Sequence, residues 1–370
     1  MYIIKNGQVH IGNGEILSNT DILIENGKIS EIGKDLKKDG AEIVDATGKD
    51  VFPGFIDTLS SIGCMGIPTS YRDNCEISSP LMPEMDISYS IDPDEVNNQE
   101  FYRTGVTSIG ASPDDVALIG GKIAVFKTGN AKFADRLVKK NTAMKCSFTT
   151  TPKGYYGGKN MQPMTKMGMA DLLMSNFERV KKAEEKDLCT KDKELKKLLD
   201  GEINPIIAAN SKAEIDAVME IYGNECKQIT LSDPFEFYRC MDRIIEKKVS
   251  VVMGNFCALS RKSRHDIKLE KLNDLIENGN LISLSSTCSG ASEGREVLLW
   301  SAIDIYRAGV PAEEVIKMLT INAAKILGVD DRIGSIEKGK DADIIIYTAH
   351  PIKTYNAHVE KVFINGEVIL

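Results

Sequence analysis

The chain opens on short apolar runs broken by two-residue turn signals. Tyr2-Ile-Ile-Lys-Asn-Gly-Gln-Val is β-prone and carries Asn6-Gly7, a strong hairpin signal. The texture returns in Ile22-Leu-Ile-Glu-Asn-Gly-Lys-Ile-Ser-Glu-Ile, with Asn26-Gly27 at the tip, and in Lys361-Val-Phe-Ile-Asn-Gly-Glu-Val-Ile-Leu, with Asn365-Gly366. Ala342-Asp-Ile-Ile-Ile-Tyr reads as a short buried strand. Each end alone buries too little apolar surface to close a core. The pattern therefore predicts one small β-sandwich built from both ends, residues 1–52 plus 324–370.

From Pro53 the period changes. Short apolar strands alternate with amphipathic helical stretches, the signature of a parallel α/β domain. Strands are predicted at Val106–Gly110, Ile123–Phe126, Pro205–Ala209, Gln228–Leu231, Val249–Met253 and Leu281–Leu284. Helices are predicted over Met169–Asp200, Ala213–Tyr222, Pro234–Lys247 and Glu293–Ala308, with another starting at Pro311. Roughly 280 residues of this repetition suffice for a (β/α)8 TIM-type barrel, placed at 53–323. The charged run from Glu184 to Leu199 reads as a solvated helix face with i,i+4 pairs, or else as a partner surface.

Composition narrows the class without naming a chemistry. Apolar residues make up 42% and charged residues 27%, which excludes disorder, collagen and a coiled coil as the main architecture. A net charge of −8 argues against nucleic acid as a partner. No apolar run reaches membrane-spanning length, and the first residues lack the layout of a secretory signal. Eight scattered cysteines fit reduced thiols, so the cytoplasm is the expected compartment. The four histidines, His10, His265, His350 and His358, form no close pair, and only His265 falls in the barrel segment.

Several segments carry a resemblance. Gly48-Lys-Asp-Val-Phe-Pro-Gly-Phe-Ile-Asp looks like the entry to the first barrel strand of the amidohydrolase superfamily. Asp73-Asn-Cys-Glu-Ile-Ser-Ser-Pro-Leu-Met-Pro-Glu-Met-Asp and Leu118-Ile-Gly-Gly-Lys-Ile-Ala-Val-Phe-Lys are similar to segments of its imidazolonepropionase-like group. Thr320-Ile-Asn-Ala-Ala-Lys-Ile-Leu-Gly, followed by Ile333-Gly-Ser-Ile-Glu-Lys-Gly-Lys-Asp-Ala-Asp, resembles the superfamily's return from barrel to terminal sandwich. The resemblance implies a hydrolase of C–N bonds, with one or two metal ions at the C-terminal mouth of the barrel activating water.

The ligands that this chemistry implies are missing. The His-x-His places of strand one hold Leu59 and Ser61, and the acidic ligand falls at Thr150. The fifth-strand histidine region leaves Ala208 and Asn210, the sixth-strand histidine becomes Asp233, and the catalytic aspartate becomes Cys288. These residues are expected to line a pocket that holds no metal and no cofactor. Asp233 and Cys288 could form a base and nucleophile, although a carboxylate activates a thiol poorly. Gly120 and Gly121 could cradle an anion or serve close packing. Lys127 and the Arg261, Arg264 and His265 loop are further candidate anion contacts, the loop alternatively a plain surface.

Two functions follow. One is a catalytically degenerate amidohydrolase-like protein that binds a small molecule or a partner subunit, as a homo-oligomer or beside an active relative. The other is a hydrolase of cyclic-amide-type C–N bonds with a rebuilt, metal-independent site.

Overall fold

The computed structural model describes residues 1–64, 72–92, 94–95, 100–129, 133–254, 266–286 and 296–370. Its strands are β1 (Tyr2–His10), β2 (Ile16–Glu25), β3 (Lys28–Gly33), β4 (Glu42–Asp45), β5 (Asp50–Pro53), β6 (Phe55–Ser60), β7 (Val106–Ala111), β8 (Ile119–Lys127), β9 (Leu137–Ser147), β10 (Pro205–Ala208), β11 (Thr230–Ser232), β12 (Ser250–Met253), β13 (Ile282–Leu284), β14 (Ile344–Tyr347), β15 (Val359–Ile364) and β16 (Glu367–Val368). They form two eight-stranded sheets.

The first sheet joins the two ends of the chain. Its order is β16-β15-β14-β5-β1-β2-β3, with β4 also on β1. β5 is the splice: it pairs parallel to β1 on one side and antiparallel to β14 on the other. Asn26-Gly27 and Asn365-Gly366 turn the β2–β3 and β15–β16 hairpins, all four residues at positive φ as a type I′ turn requires. Asn6-Gly7 behaves differently from the hairpin expected there. It lies inside β1, where Ile4↔Ile22 is followed by Gly7↔Thr20, so one extra residue bulges out of the ladder. The bulge needs glycine because a Cβ on Gly7 would stand 2.7 Å from Val51 Cγ2.

The second sheet runs β6 to β13 in chain order and curls into a nearly closed barrel. Its ends are fastened by side chains. Thr58 Oγ1 on β6 donates to Ser283 Oγ on β13 (2.9 Å), and Ser285 Oγ donates to the Leu59 carbonyl (2.7 Å). The Ser286 amide donates to Asp57 Oδ1 (2.9 Å). Ile56, Ile123, Val125, Ala143, Ile206 and Val252 pack inside the barrel together with Ala323, Ala324 and Leu327 from the helix Ile321–Ile326 and its end.

The barrel corrects the expected uniform parallel order. β8 runs antiparallel to both β7 and β9, while the remaining hydrogen-bonded neighbours are parallel. A seven-residue connection, 112–118, joins β7 to β8; it is too short for a helical crossover, so the strand must return antiparallel. The expected helix Met169–Asp200 is also two helices, Lys166–Lys182 and Thr190–Asp200. Ala183 and Glu184 are extended, and the bend lets Arg179 Nη2 and Nη1 reach Asp192 Oδ1 (2.6 Å) and Oδ2 (3.0 Å). Among the described residues no helix is long and apolar enough to cross a membrane.

Candidate functional site

The parallel strands end on one rim, and the candidate residues fall there unevenly. Leu59 and Ala208 are buried and carry no donor atom on their side chains; Ser61 is buried just after β6. Asn210 and Asp233 come together after β10 and β11, where Asn210 Nδ2 donates to the Asp233 carbonyl (2.9 Å). Thr150 does not join them. It is exposed at the start of the helix Thr150–Gly157, whose N-cap is Thr149. Cys288, Arg261, Arg264 and His265 lie outside the described residues.

β9 brings the unforeseen group. Cys146 belongs to the apolar layer outside the barrel and Ala143 to its interior, so strand alternation turns Lys145 inward. Its ammonium pairs with Asp115, which arrives on the connection from β7 to β8, and it reaches the Cys146 carbonyl (3.3 Å). Burial raises the Asp115 carboxyl above its usual range while the Lys145 charge pulls it back.

Asp233 completes this buried set. It stands at positive φ (52°), held by its amide donating to the Val252 carbonyl (2.9 Å). Its Oδ1 is buried without a hydrogen-bond partner among the described residues. Burial, followed by the Asp115 charge, pushes its carboxyl up to about 7 against the pull of Lys145. At neutral pH Asp233 is divided between an O–H donor and a carboxylate.

The other proposed anion contacts have structural occupations. A Cβ on Gly121 (φ +126°) would meet Met85 Cβ at 2.8 Å and the Met85 carbonyl at 2.9 Å; one on Gly120 would meet Pro113 Cβ at 3.1 Å. Both positions are tightly packed, most of all Gly121. Lys127 sits at the far end of β8, opposite Ser108 near the start of β7, fully buried and paired with Asp343 and with Asp341 (3.1 Å). Its charge therefore ties the barrel to the start of β14 and stays away from the rim.

A second cluster forms where the terminal sheet meets the barrel. His10 at the end of β1 is buried, with Nδ1 2.9 Å from Glu313 Oε2 and Nε2 2.8 Å from Asp50 Oδ1. Its ring stacks on Phe52 at 4.2 Å. His350 Nε2 lies 3.4 Å from Glu313 Oε1. Burial works against the charged His10 ring, but hydrogen bonds to Asp50 and Glu313 hold its pKa above the usual value. Burial likewise works against charge on Glu313, and the two histidines outweigh it, holding its carboxyl down at about 2. The sequence places these histidines in the terminal segments, and nothing local pairs them with Glu313.

A mixed α/β barrel with polar groups at its strand ends, joined to a β unit built from both ends of the chain, defines the architecture. Comparison places it further. Residues 208–369 match the family model of the amidohydrolase family. A 5-methylthioadenosine/S-adenosylhomocysteine deaminase of Thermococcus onnurineus is 24% identical across all of this chain and 93% of its own length. A dihydroorotase of Listeria monocytogenes is 51% identical over 57 residues, 15% of this chain and 13% of the dihydroorotase. A solved amidohydrolase from Thermotoga maritima superposes with a TM-score of 0.91 over the whole of both chains at 29% identity. Over residues 208–369 the chain matches the amidohydrolase family model, and over its whole length it resembles the solved amidohydrolase.

The metal centre that the resemblance implies does not fit the rim described. Leu59 and Ala208 offer hydrocarbon, Ser61 and Asn210 are neutral, and a buried ammonium stands beside the carboxylates. An ammonium in that place repels a divalent cation and already occupies Asp115.

Proposed function

We propose that the barrel mouth binds a small polar ligand with its own ion-paired side chains, and that it has given up the superfamily's metal-dependent hydrolysis. The observation that carries this is the buried Lys145–Asp115 pair beside Asp233. A half-protonated carboxyl whose Oδ1 has no hydrogen-bond partner among the described residues suits a ligand offering both a hydrogen-bond donor and an acceptor. In the same reading the chain works as a homo-oligomer or beside an active relative, which light scattering and co-purification test.

A second reading has a specific support. A carboxyl near pH 7 is tuned for general acid–base work, and the full-length relative from Thermococcus is named a deaminase. Here Asp233 would move the proton in a metal-independent hydrolysis of a C–N bond.

Ammonia release from adenine nucleosides and ring opening of cyclic amides separate the two. No turnover, together with a ligand-induced rise in melting temperature that Lys145→Met abolishes, supports the binding protein. Turnover that survives chelation and is lost in Asp233→Asn supports the enzyme.

A further inference from the structure

The seam between the terminal sheet and the barrel holds a ligand set that the described residues of the mouth do not offer. His10, Glu313 and His350 each offer one ligand atom, and these lie within 4.8 Å of one another. Two imidazoles and a carboxylate are the donor set of three-ligand zinc sites with a fourth, open position. Donors at the corners of a zinc tetrahedron stand about 3.3 Å apart, given bonds of about 2.0–2.1 Å. His10 Nδ1 stands 2.9 Å from Glu313 Oε2 and His350 Nε2 stands 3.4 Å from Glu313 Oε1, so the two imidazoles converge on one carboxylate from its two sides, at separations close to that spacing.

The surroundings are those of a metal-ligating histidine. Asp50 Oδ1 sits 2.8 Å from His10 Nε2, so that nitrogen donates its proton outward and Nδ1 can turn its lone pair toward Glu313. A carboxylate behind a histidine in this way fixes the tautomer and strengthens the ligand. Phe52 stacks on the His10 ring and fixes its plane, and the His350 ring stands edge-on to both. Two features work against a cation. Lys353 Nζ lies 3.8 Å from Glu313 Oε1, and the Ile352 amide points at His350 Nδ1 at 3.3 Å. Lys353 is on an exposed, flexible stem and can swing away. The Ile352 contact is long, and giving it up lets His350 carry its proton on Nδ1 and present Nε2.

We propose that His10, Glu313 and His350 form a three-ligand site for zinc or a similar borderline divalent cation, its fourth position left to water, oriented by Asp50 and joining the terminal sheet to the helix Ala312–Leu319. This site is independent of the mouth and of any reaction there. It joins three segments far apart in the chain, the end of β1, the first turn of that helix and the residues after β14.

The test uses the full chain, stripped with chelator, dialysed, and then loaded with zinc. Elemental analysis after desalting is expected to give about one equivalent, and loading with cobalt to give the visible absorption of a four-coordinate site. Competition with a chelator should show Asp50→Asn binding zinc about 10- to 100-fold more weakly. Glu313→Gln and His350→Ala should each abolish retention and the cobalt band. Circular dichroism identifies any variant that has lost its fold; His350→Gln then replaces His350→Ala. Failure of the wild-type chain to retain zinc, or equal retention in folded Glu313→Gln and His350→Gln, overturns the proposal and leaves the cluster as a charged hydrogen-bonded clamp.

Discussion

The Lys145 ammonium on β9 meets the Asp115 carboxylate on the connection between β7 and β8, both side chains buried in the barrel. The antiparallel course of β8 makes this possible, because the tight return from β7 carries Asp115 back over the rim instead of out into a helix. The cation that meets the rim carboxylates is thus the protein's own.

Removing one partner should show how strongly this pair is held. Lys145→Met is expected to destabilise the chain by about 3–5 kcal/mol, because Asp115 is left buried and uncompensated. The double variant Lys145→Met/Asp115→Leu should recover most of that loss. Urea denaturation of the two variants measures both; equal destabilisation in the single and double variants would contradict the pairing.

Asp233 predicts a pH dependence of opposite sign to an ordinary salt-bridged carboxylate. Its folded value of about 7 lies above the ordinary aspartate value of 3.8, so between those pH values the native state keeps a proton that the unfolded chain has released. Stability should therefore fall as pH rises from about 4 to about 7 and level off above. Asp233→Asn removes the effect, and should gain on the wild type over that window by up to about 4 kcal/mol. Parallel denaturation curves at pH 4, 6 and 8 check it; a difference that does not move with pH would refute it.

Arg179 and Asp192 lock the bend between the helices Lys166–Lys182 and Thr190–Asp200. The Arg179 hydrogen bonds hold the Asp192 carboxyl at about 2 despite the opposing effect of burial. Its folded value lies below the unfolded one, so this contribution is present above pH 4 and is lost as pH falls toward 2. Arg179 is half exposed and screened, so Arg179→Ala should cost less than about 1 kcal/mol at neutral pH and nothing at pH 2. Thermal melts at the two pH values resolve the difference.

The diglycine gives a test of packing against anion binding. Gly121→Ala places a methyl group 2.8 Å from Met85 Cβ and 2.9 Å from its carbonyl, at a φ that L-residues avoid, and should cost about 2 kcal/mol or more. Gly120→Ala meets only Pro113 Cβ below 3.4 Å and should be the milder change. Equal stability of both variants, with loss of anion affinity, would restore the cradle.

Much of the fold is legible in local pattern. Asn-Gly between β-prone runs encodes two of the three expected hairpins, because only residues tolerant of positive φ make a type I′ turn. The apolar runs at 205–209, 249–253 and 281–284 become β10, β12 and β13, since short strands buried on both faces must be continuously apolar. Leu59 and Ala208 are hydrocarbon side chains on the sequence alone, and the fold buries both. β9 escapes this reading because Lys139, Lys140 and Asn141 are exposed, so its first half lacks an apolar signature.

Direction and partnership belong to the tertiary structure. Periodicity is the same for a strand read either way, and β8 runs antiparallel because the short connection 112–118 leaves no room for a helical crossover. The same Asn-Gly signal at residue 6 becomes a bulge because β1 must continue past Val51 to meet β5. Lys145 finds Asp115 across 30 residues, and His10 finds Glu313 across 303. Such pairs leave no mark in local composition: burial makes each charge require a partner, and which partner arrives is decided by how the two sheets close.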